Sequence, residues 1–297
     1  MNSDQQIQFA KAQQALDQQQ YSEAARILAL LNDEVDLFVI NHSLVKALYE
    51  IGQYRQAWFL INEHLADYQQ SAELTALAVQ VALANHQMIN ARKLALASRY
   101  DDRLLRQIDQ AEDKMRETMQ QSLQGIQRRF IHLGDQAFNG QQERFHAADQ
   151  LPLNEYVQAA KYLVRDPFVR PLIRASIIQN LQQLQVKEII TIYWIDDQEY
   201  SVDLAKLKPV DEYPIVIEVQ KLLSDRYGQS DPVTLQTYLQ EFYLQLTLLF
   251  PRIEETIVDA QAWYVALCAY SQTTNEPAIQ TAKEWQNRLT KLINRMM

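Results

Sequence analysis

The stretch FAKAQQALDQQQYSEAARILALL, residues 9–31, sets a run of small and apolar residues before a polar joint and an alanine-centred run after it. The pattern returns as LVKALYEIGQYRQAWFLINEHL at 44–65 and as LAVQVALANHQMINARKLALAS at 77–98. Aligning the second runs on their small residue brings Ala24, Ala57 and Ala91 into register, 33 and 34 residues apart. Three places earlier stand Tyr21, Tyr54 and Met88, bulky enough to fill the angle between two helices. Each first run offers a small or β-branched residue (Ala12, Val45, Val79) and an apolar residue three places on (Ala15, Leu48, Ala82). Residues three apart share a helical face. Each segment therefore predicts a helical hairpin with one apolar side, which is buried only by stacking on the next hairpin.

A recurrence of 33–34 residues is the tetratricopeptide period. Over residues 4–100 the chain resembles tetratricopeptide (TPR) repeat proteins, although only the second unit has glycine at its joint, Gly52, and the usual Trp and Gly of the first helices are missing. The resemblance implies an α-α superhelix whose first helices line a groove. By position that groove presents Phe9, Gln13 and Leu16, then His42, Lys46 and Tyr49, then Ala76, Gln80 and Leu83. Members that clamp a C-terminal carboxylate use Lys, Asn and Arg where this chain has Phe9, Gln13, Ser43, Glu73 and Leu77, so chaperone-tail recognition is disfavoured. What remains is a mixed apolar and amide-rich groove suited to a peptide or helix.

Composition narrows the classes. Five Gly in 297 residues, against the roughly 20 that average usage gives, leave few tight turns and point to helix. A formal net charge of −9 argues against a general grip on nucleic acid or anionic lipid. Cys268 is the sole cysteine, so neither a disulfide framework nor a thiolate metal site is expected. The N-terminal MNSDQQIQFAKAQQ has no basic or apolar leader pattern, and no apolar run approaches the roughly 20 residues of a membrane span, so a cytoplasmic protein without membrane insertion is expected.

Beyond the repeats, Leu104, Ile108, Ala111, Met115, Met119, Leu123, Ile126 and Phe130 recur at three- and four-residue spacings and predict one long amphipathic helix over 101–130. Such a stripe serves as a coiled-coil seam or, the reading preferred here, as a helix that caps and connects; Gly125 is expected to mark a kink or end. Pro152 starts a helix over 152–165. KEIITIYWI (187–195) and EYSVDL (199–204) around a polar turn predict a β-hairpin. Asp166-Pro167 and Asp231-Pro232 read as helix starts and Gly228 as a stop. The expected fold is mainly α: a TPR-like superhelix over 1–100, a connecting helical region over 101–145, and an α-rich domain over 146–297 with one β-hairpin near 187–204.

The segment DPFVRPLIRASIIQNLQQLQVKEIITIYWIDDQEYSVDLAKLKP, residues 166–209, following such hairpins, is similar to an uncharacterised family of tetratricopeptide proteins from low-GC Gram-positive bacteria. That likeness implies a cytoplasmic bacterial protein of unassigned role and carries over no catalytic residue.

Chemistry-bearing motifs are sparse. There is no Gly-rich phosphate loop, no GxSxG elbow and no HxxxH or HExxH. His132, Asp135 and His146 form a conceivable ligand trio, but scattered histidines read better as unrelated residues. Glu255 and Asp259, four apart, suit a solvated helix start better than acid–base work. Arg170 and Arg174 share a face and form a weak anion-binding candidate, with pairing to Asp166 preferred. Tyr238, Phe242, Tyr243, Phe250, Trp263 and Tyr264 read as packing faces with an amphipathic rim.

The leading expectation is a non-enzymatic scaffold or adaptor with no cofactor and no metal, binding a protein or peptide rather than nucleic acid. A peptide-sensing regulator acting through a protein partner is the alternative. An enzyme or metal-binding function in the C-terminal half comes third.

Overall fold

The computed structural model describes residues 1–98, 102–268 and 276–294, except the side chain of Phe138. Residue 101 of the expected 101–130 helix and the last three residues of the chain lie outside that set. The fold is mainly α, with seventeen α-helices and one two-stranded antiparallel sheet among the described residues. Two compact units divide the chain, each made of two segments: residues 1–126 with 149–156, and residues 127–148 with 157–297.

The first unit contains α1 (Ser3–Asp17), α2 (Tyr21–Glu34), α3 (Phe38–Glu50), α4 (Tyr54–Glu63), the single turn α5 (Leu65–Tyr68), α6 (Ala72–Ala84), α7 (Met88–Ala97) and α8 (Asp102–Thr118). Successive helices pack as hairpins, and α1 touches α3 while α4 touches α6. The small residues sit where the period puts them. Ala12, Val45 and Val79 on the first helices and Ala24, Ala57 and Ala91 on the second are all fully buried. Around them Leu28, Ile40, Leu44, Ile61, Leu94 and Ile108 complete one continuous core.

The joints repeat at the level of the backbone. Gln19, Gly52 and His86, 33 and 34 residues apart, all adopt left-handed φ values, of 59°, 76° and 56°. After each, the N–H of Gln20, Gln53 and Gln87 reaches back to the carbonyl of Ala15, Leu48 and Ala82 at 2.8–2.9 Å. The positive-φ residues themselves donate to Leu16, Tyr49 and Leu83 at 3.0 Å. This pair of bonds is the Schellman stop, and it caps three helices identically though only one joint has glycine. An L side chain in this conformation costs on the order of 1 kcal/mol relative to glycine. Gln19→Gly and His86→Gly are each expected to stabilise the first unit by about 0.5–1 kcal/mol, and Gly52→Ala to destabilise it by a similar amount. An added Cβ at Gly52 meets nothing within 4 Å, so the penalty there is one of backbone conformation. Urea midpoints of the three variants check the set; a stabilising Gly52→Ala would overturn it.

The expected 101–130 helix is interrupted. The chain leaves helical geometry at Met119 before α9 (Gln120–Ile131), while the hydrogen-bond ladder continues on both sides, Met119 to Met115 at 2.8 Å and Leu123 to Met119 at 3.0 Å. Thr118 bonds its hydroxyl back to the Lys114 carbonyl at 2.8 Å, a back-bond that bends helices. Gly125, expected at a kink or end, lies inside α9.

On α8 the buried stripe contains Glu112, 4% exposed, among Leu104, Ile108 and Met115. Its Oε1 accepts from Arg92 of α7 at 2.9 Å and from the backbone N–H of Leu153 at 3.2 Å. Arg92 also meets Asp109 at 2.6 Å. Arg116 takes Glu155 in a two-bond fork of 2.8 and 3.0 Å and Asp113 at 2.8 Å. Leu153 and Glu155 open α11 (Leu153–Leu163), so the network ties α7, α8 and the first turn of α11 together within the first unit.

The second unit carries α10 (Phe138–Ala147), the remainder of α9 and α11, α12 (Pro171–Gln183), β1 (Ile189–Tyr193), β2 (Glu199–Asp203), α13 (Pro214–Tyr227), α14 (Pro232–Leu249), the turn α15 (Ile253–Thr256), α16 (Ala260–Cys268) and α17 (Pro277–Asn294). The strands pair from Ile189 with Asp203 to Tyr193 with Glu199. Alternation buries Ile190, Ile192 and Val202. Asp231 caps α14 through Thr234 N–H at 3.0 Å, with Pro232 at the first helical position, and α13 stops before Gly228. Asp166-Pro167 does not start α12. Asp166 instead accepts the N–H of Phe168 at 2.8 Å in a local turn, and the helix waits for Pro171. Phe242, Phe250 and Trp263 are core, and Tyr243 lies on the rim. The indole of Trp263 donates to Gln245 at 3.1 Å, and Gln286 donates to the Trp263 carbonyl at 3.0 Å, which satisfies a polar knot inside the core.

Candidate functional site

The three Schellman joints set α1, α3 and α6 in a common register, so equivalent residues form columns. Phe9, His42 and Ala76 make one, Gln13, Lys46 and Gln80 a second, and Leu16, Tyr49 and Leu83 a third. The columns differ in what they leave free. Phe9, Leu16, Tyr49, Ala76 and Leu83 are partly buried and pack against the core of the first unit. Gln13 spends its amide on Ser43, Nε2 to Oγ at 2.8 Å, and Ser43 in turn donates to the Val39 carbonyl. Lys46 and Gln80 stand exposed. The middle column is therefore the polar, reachable line, flanked by half-buried apolar residues.

His42 lies at the junction of that face and an aromatic cluster. Its ring is 5.8 Å from Phe38 and 6.0 Å from Tyr68, whose buried hydroxyl donates to Asn41 at 3.0 Å. Its Nδ1 is buried and meets no partner in the chain. Burial pushes the imidazole below its ordinary value of 6.5; Lys46 adds to the shift and Glu73 opposes it. The unfolded chain thus binds the proton more readily than the folded one. Stability from neutral His42 is complete above about pH 6.5 and is lost as pH falls through that value. Between pH 7.5 and 5.5, thermal melts of His42→Phe are expected to lose less stability than those of the unsubstituted protein, and equal losses would refute the assignment.

The other sequence candidates fall in different surroundings. Arg170 is the N-cap of α12, its backbone N–H bonded to Gln141 at 2.9 Å. Arg174 is buried, and its Nη1 donates to the carbonyls of Asp166 and Val169 at 3.0 and 2.6 Å, with the guanidinium 5.1 Å from the Tyr193 ring. Burial lowers it to about 10, so it stays charged at neutral pH. Its donors go to main-chain carbonyls rather than to the Asp166 carboxylate, and it forms no common grip with Arg170. His132 and Asp135 meet at 3.0 Å, but His146 packs beside Phe145 instead of joining them. Glu255 and Asp259 do not share a helix: Glu255 is in α15, and Asp259 accepts the N–H of Ala262 at the start of α16. Among the described residues no group of three or more His, Cys, Asp or Glu is placed to hold a metal ion, and no helix is long and apolar enough to cross a membrane.

No family model, no curated protein and no solved structure matches the chain. The densest cluster of titratable side chains, Arg92, Asp109, Glu112, Arg116 and Glu155, was not marked by sequence motifs. Glu112 looks like any charged residue on an amphipathic helix, and its spacing from Ile108 and Met115 was the available signal.

Proposed function

We propose that the protein is a non-enzymatic interaction scaffold of the tetratricopeptide kind, which holds a peptide or helix along the face of α1, α3 and α6. The observation that carries the reading is the shared register of the three first helices, which aligns exposed Lys46 and Gln80 between half-buried Phe9, His42 and Tyr49. A partner segment lying across the columns would find polar ends in the centre and apolar edges on either side, the pattern that suits a helix or strand held through side chains. Gln13 serves as a spacer in this scheme, since its amide already bridges α1 to α3.

The test uses the full chain, because cutting away residues 1–100 removes Arg92 and leaves Glu112 buried with fewer donors. Affinity capture from native lysate, read by mass spectrometry, is compared for the unsubstituted protein and a Lys46→Glu/Gln80→Glu double variant. Both positions are exposed, so folding is retained. A partner recovered by the former and depleted by the latter is the expected result. Equal recovery would remove the face from consideration.

A further inference from the structure

The second unit contains a stack of aromatic and guanidinium groups that the scaffold reading does not use. The ring of Trp194, at the end of β1, lies 6.0 Å from Tyr200 of β2 and 5.5 Å from Trp285 of α17. Arg252, just before α15, lays its guanidinium 3.7 Å from the Tyr200 centroid and 5.4 Å from that of Trp194. Arg288 covers Trp285 at 5.5 Å and donates to the Ile195 carbonyl at 3.0 Å.

Two N–H donors in this stack are buried and donate to nothing in the chain: Nε1 of Trp194, a residue 4% exposed, and Nε of Arg252. Buried donors are almost always paired, and leaving one unpaired costs about 1–3 kcal/mol. The Arg252 Nε–H is also half of the side-on fork with which a guanidinium takes an oxyanion. Two acids lie close by, and neither meets these donors. Asp196 accepts the Tyr200 hydroxyl at 2.6 Å, and Glu255 stands 4.0 Å from Nη1 of Arg252, on the other end of the guanidinium. The Arg252 side chain is 24% exposed, so a small group can reach it from solvent.

We propose that Trp194, Arg252 and Arg288 form a binding site for the oxyanion of a small ligand, a carboxylate or a phosphate. The indole and Arg252 Nε donors would satisfy the anion's oxygens, and the second guanidinium would add charge. The Trp194 and Trp285 faces favour a ligand with a flat apolar body beside the anion.

Calorimetric titration of the full chain with sodium acetate, sodium benzoate and inorganic phosphate, each up to about 10 mM, tests the site. Binding of at least one anion is expected. Acetate or benzoate alone would mark a carboxylate site, and phosphate alone a phosphate site. Arg252→Lys keeps the charge but loses Nε–H, and Trp194→Phe keeps an aromatic ring but loses the indole donor. Each is expected to weaken binding about tenfold or more, while Arg55→Gln in the first unit leaves it unchanged. Near-UV circular dichroism confirms that the variants are folded. Absence of binding by all three anions, or unchanged affinity in both folded site variants, would overturn the proposal. Neither result bears on the α1, α3 and α6 face, whose test uses different residues in the other unit.

Discussion

Glu112→Ala is expected to destabilise the first unit by about 3–5 kcal/mol, the range for removing one partner from a buried ion pair. The substitution leaves the Arg92 side chain, 10% exposed, with only Asp109, itself 59% exposed, and strips the Leu153 N–H of its acceptor. Burial holds the Glu112 carboxyl above its ordinary value, against the pull of Arg92, Leu153 and Arg116, so this residue does not make the unit acid-labile. Glu155 acts the other way. The Arg116 fork holds its carboxyl below 4.5, and that stabilisation is lost as pH falls through the lowered value. A double-mutant cycle separates the pair from its burial: Glu112→Leu with Arg92→Met is expected to recover most of the loss, because apolar replacements of similar volume remove the desolvation cost. A shift below about 1 kcal/mol in Glu112→Ala would mean that the network is solvated and dispensable.

The second large effect belongs to the other unit. Arg174→Ala is expected to cost about 3 kcal/mol or more, because hydrogen bonds from a charged donor contribute about 1.5–3 kcal/mol and two carbonyls lose theirs at once. Those carbonyls, of Asp166 and Val169, belong to the turn that precedes α12, and the guanidinium also covers Tyr193 of β1. Arg174→Lys is expected to recover only part of the loss, since an ammonium lacks the planar fork and the stacking face. Trp58 is the only tryptophan of the first unit, while Trp194, Trp263 and Trp285 belong to the second. Fluorescence of Trp58→Phe variants therefore follows the unfolding that Arg174→Ala should advance. An unchanged midpoint would place the two carbonyls in water.

How much of this was legible depends on whether the cause was local. Ala12, Val45 and Val79, and Ala24, Ala57 and Ala91, announce themselves because a tight helix crossing demands a small or β-branched residue once per period. The hairpin of Ile189–Tyr193 and Glu199–Asp203 is written in β-branched and aromatic residues. The left-handed turns at Gln19 and His86 carry no such mark, since a polar residue there resembles any loop residue and only the Schellman bonds reveal it. A Thr118 back-bond, not Gly125, interrupts the 101–130 stripe. Glu112 and Arg174 were hidden for the same reason: whether a charge is solvated or buried depends on partners 41 and 8 residues away, respectively. Of the candidate face, the columns could be counted from the period. Which members remain free could not, because Gln13 is taken by Ser43, 30 residues on.

The division of each unit into two chain segments has a consequence for vectorial synthesis. Residues 1–126 leave the ribosome before 149–156 are made, so the nascent helical array must wait for Leu153 and Glu155. At 5–20 residues per second the wait is about 1–6 s. During it Glu112 lacks a backbone donor and Arg116 lacks its fork, while Arg92 and Asp109 are already present. The array's last hairpin is thus the segment most open to chaperones and proteases on the ribosome, and synthesis of the second unit's first segment is what sets the length of that exposure.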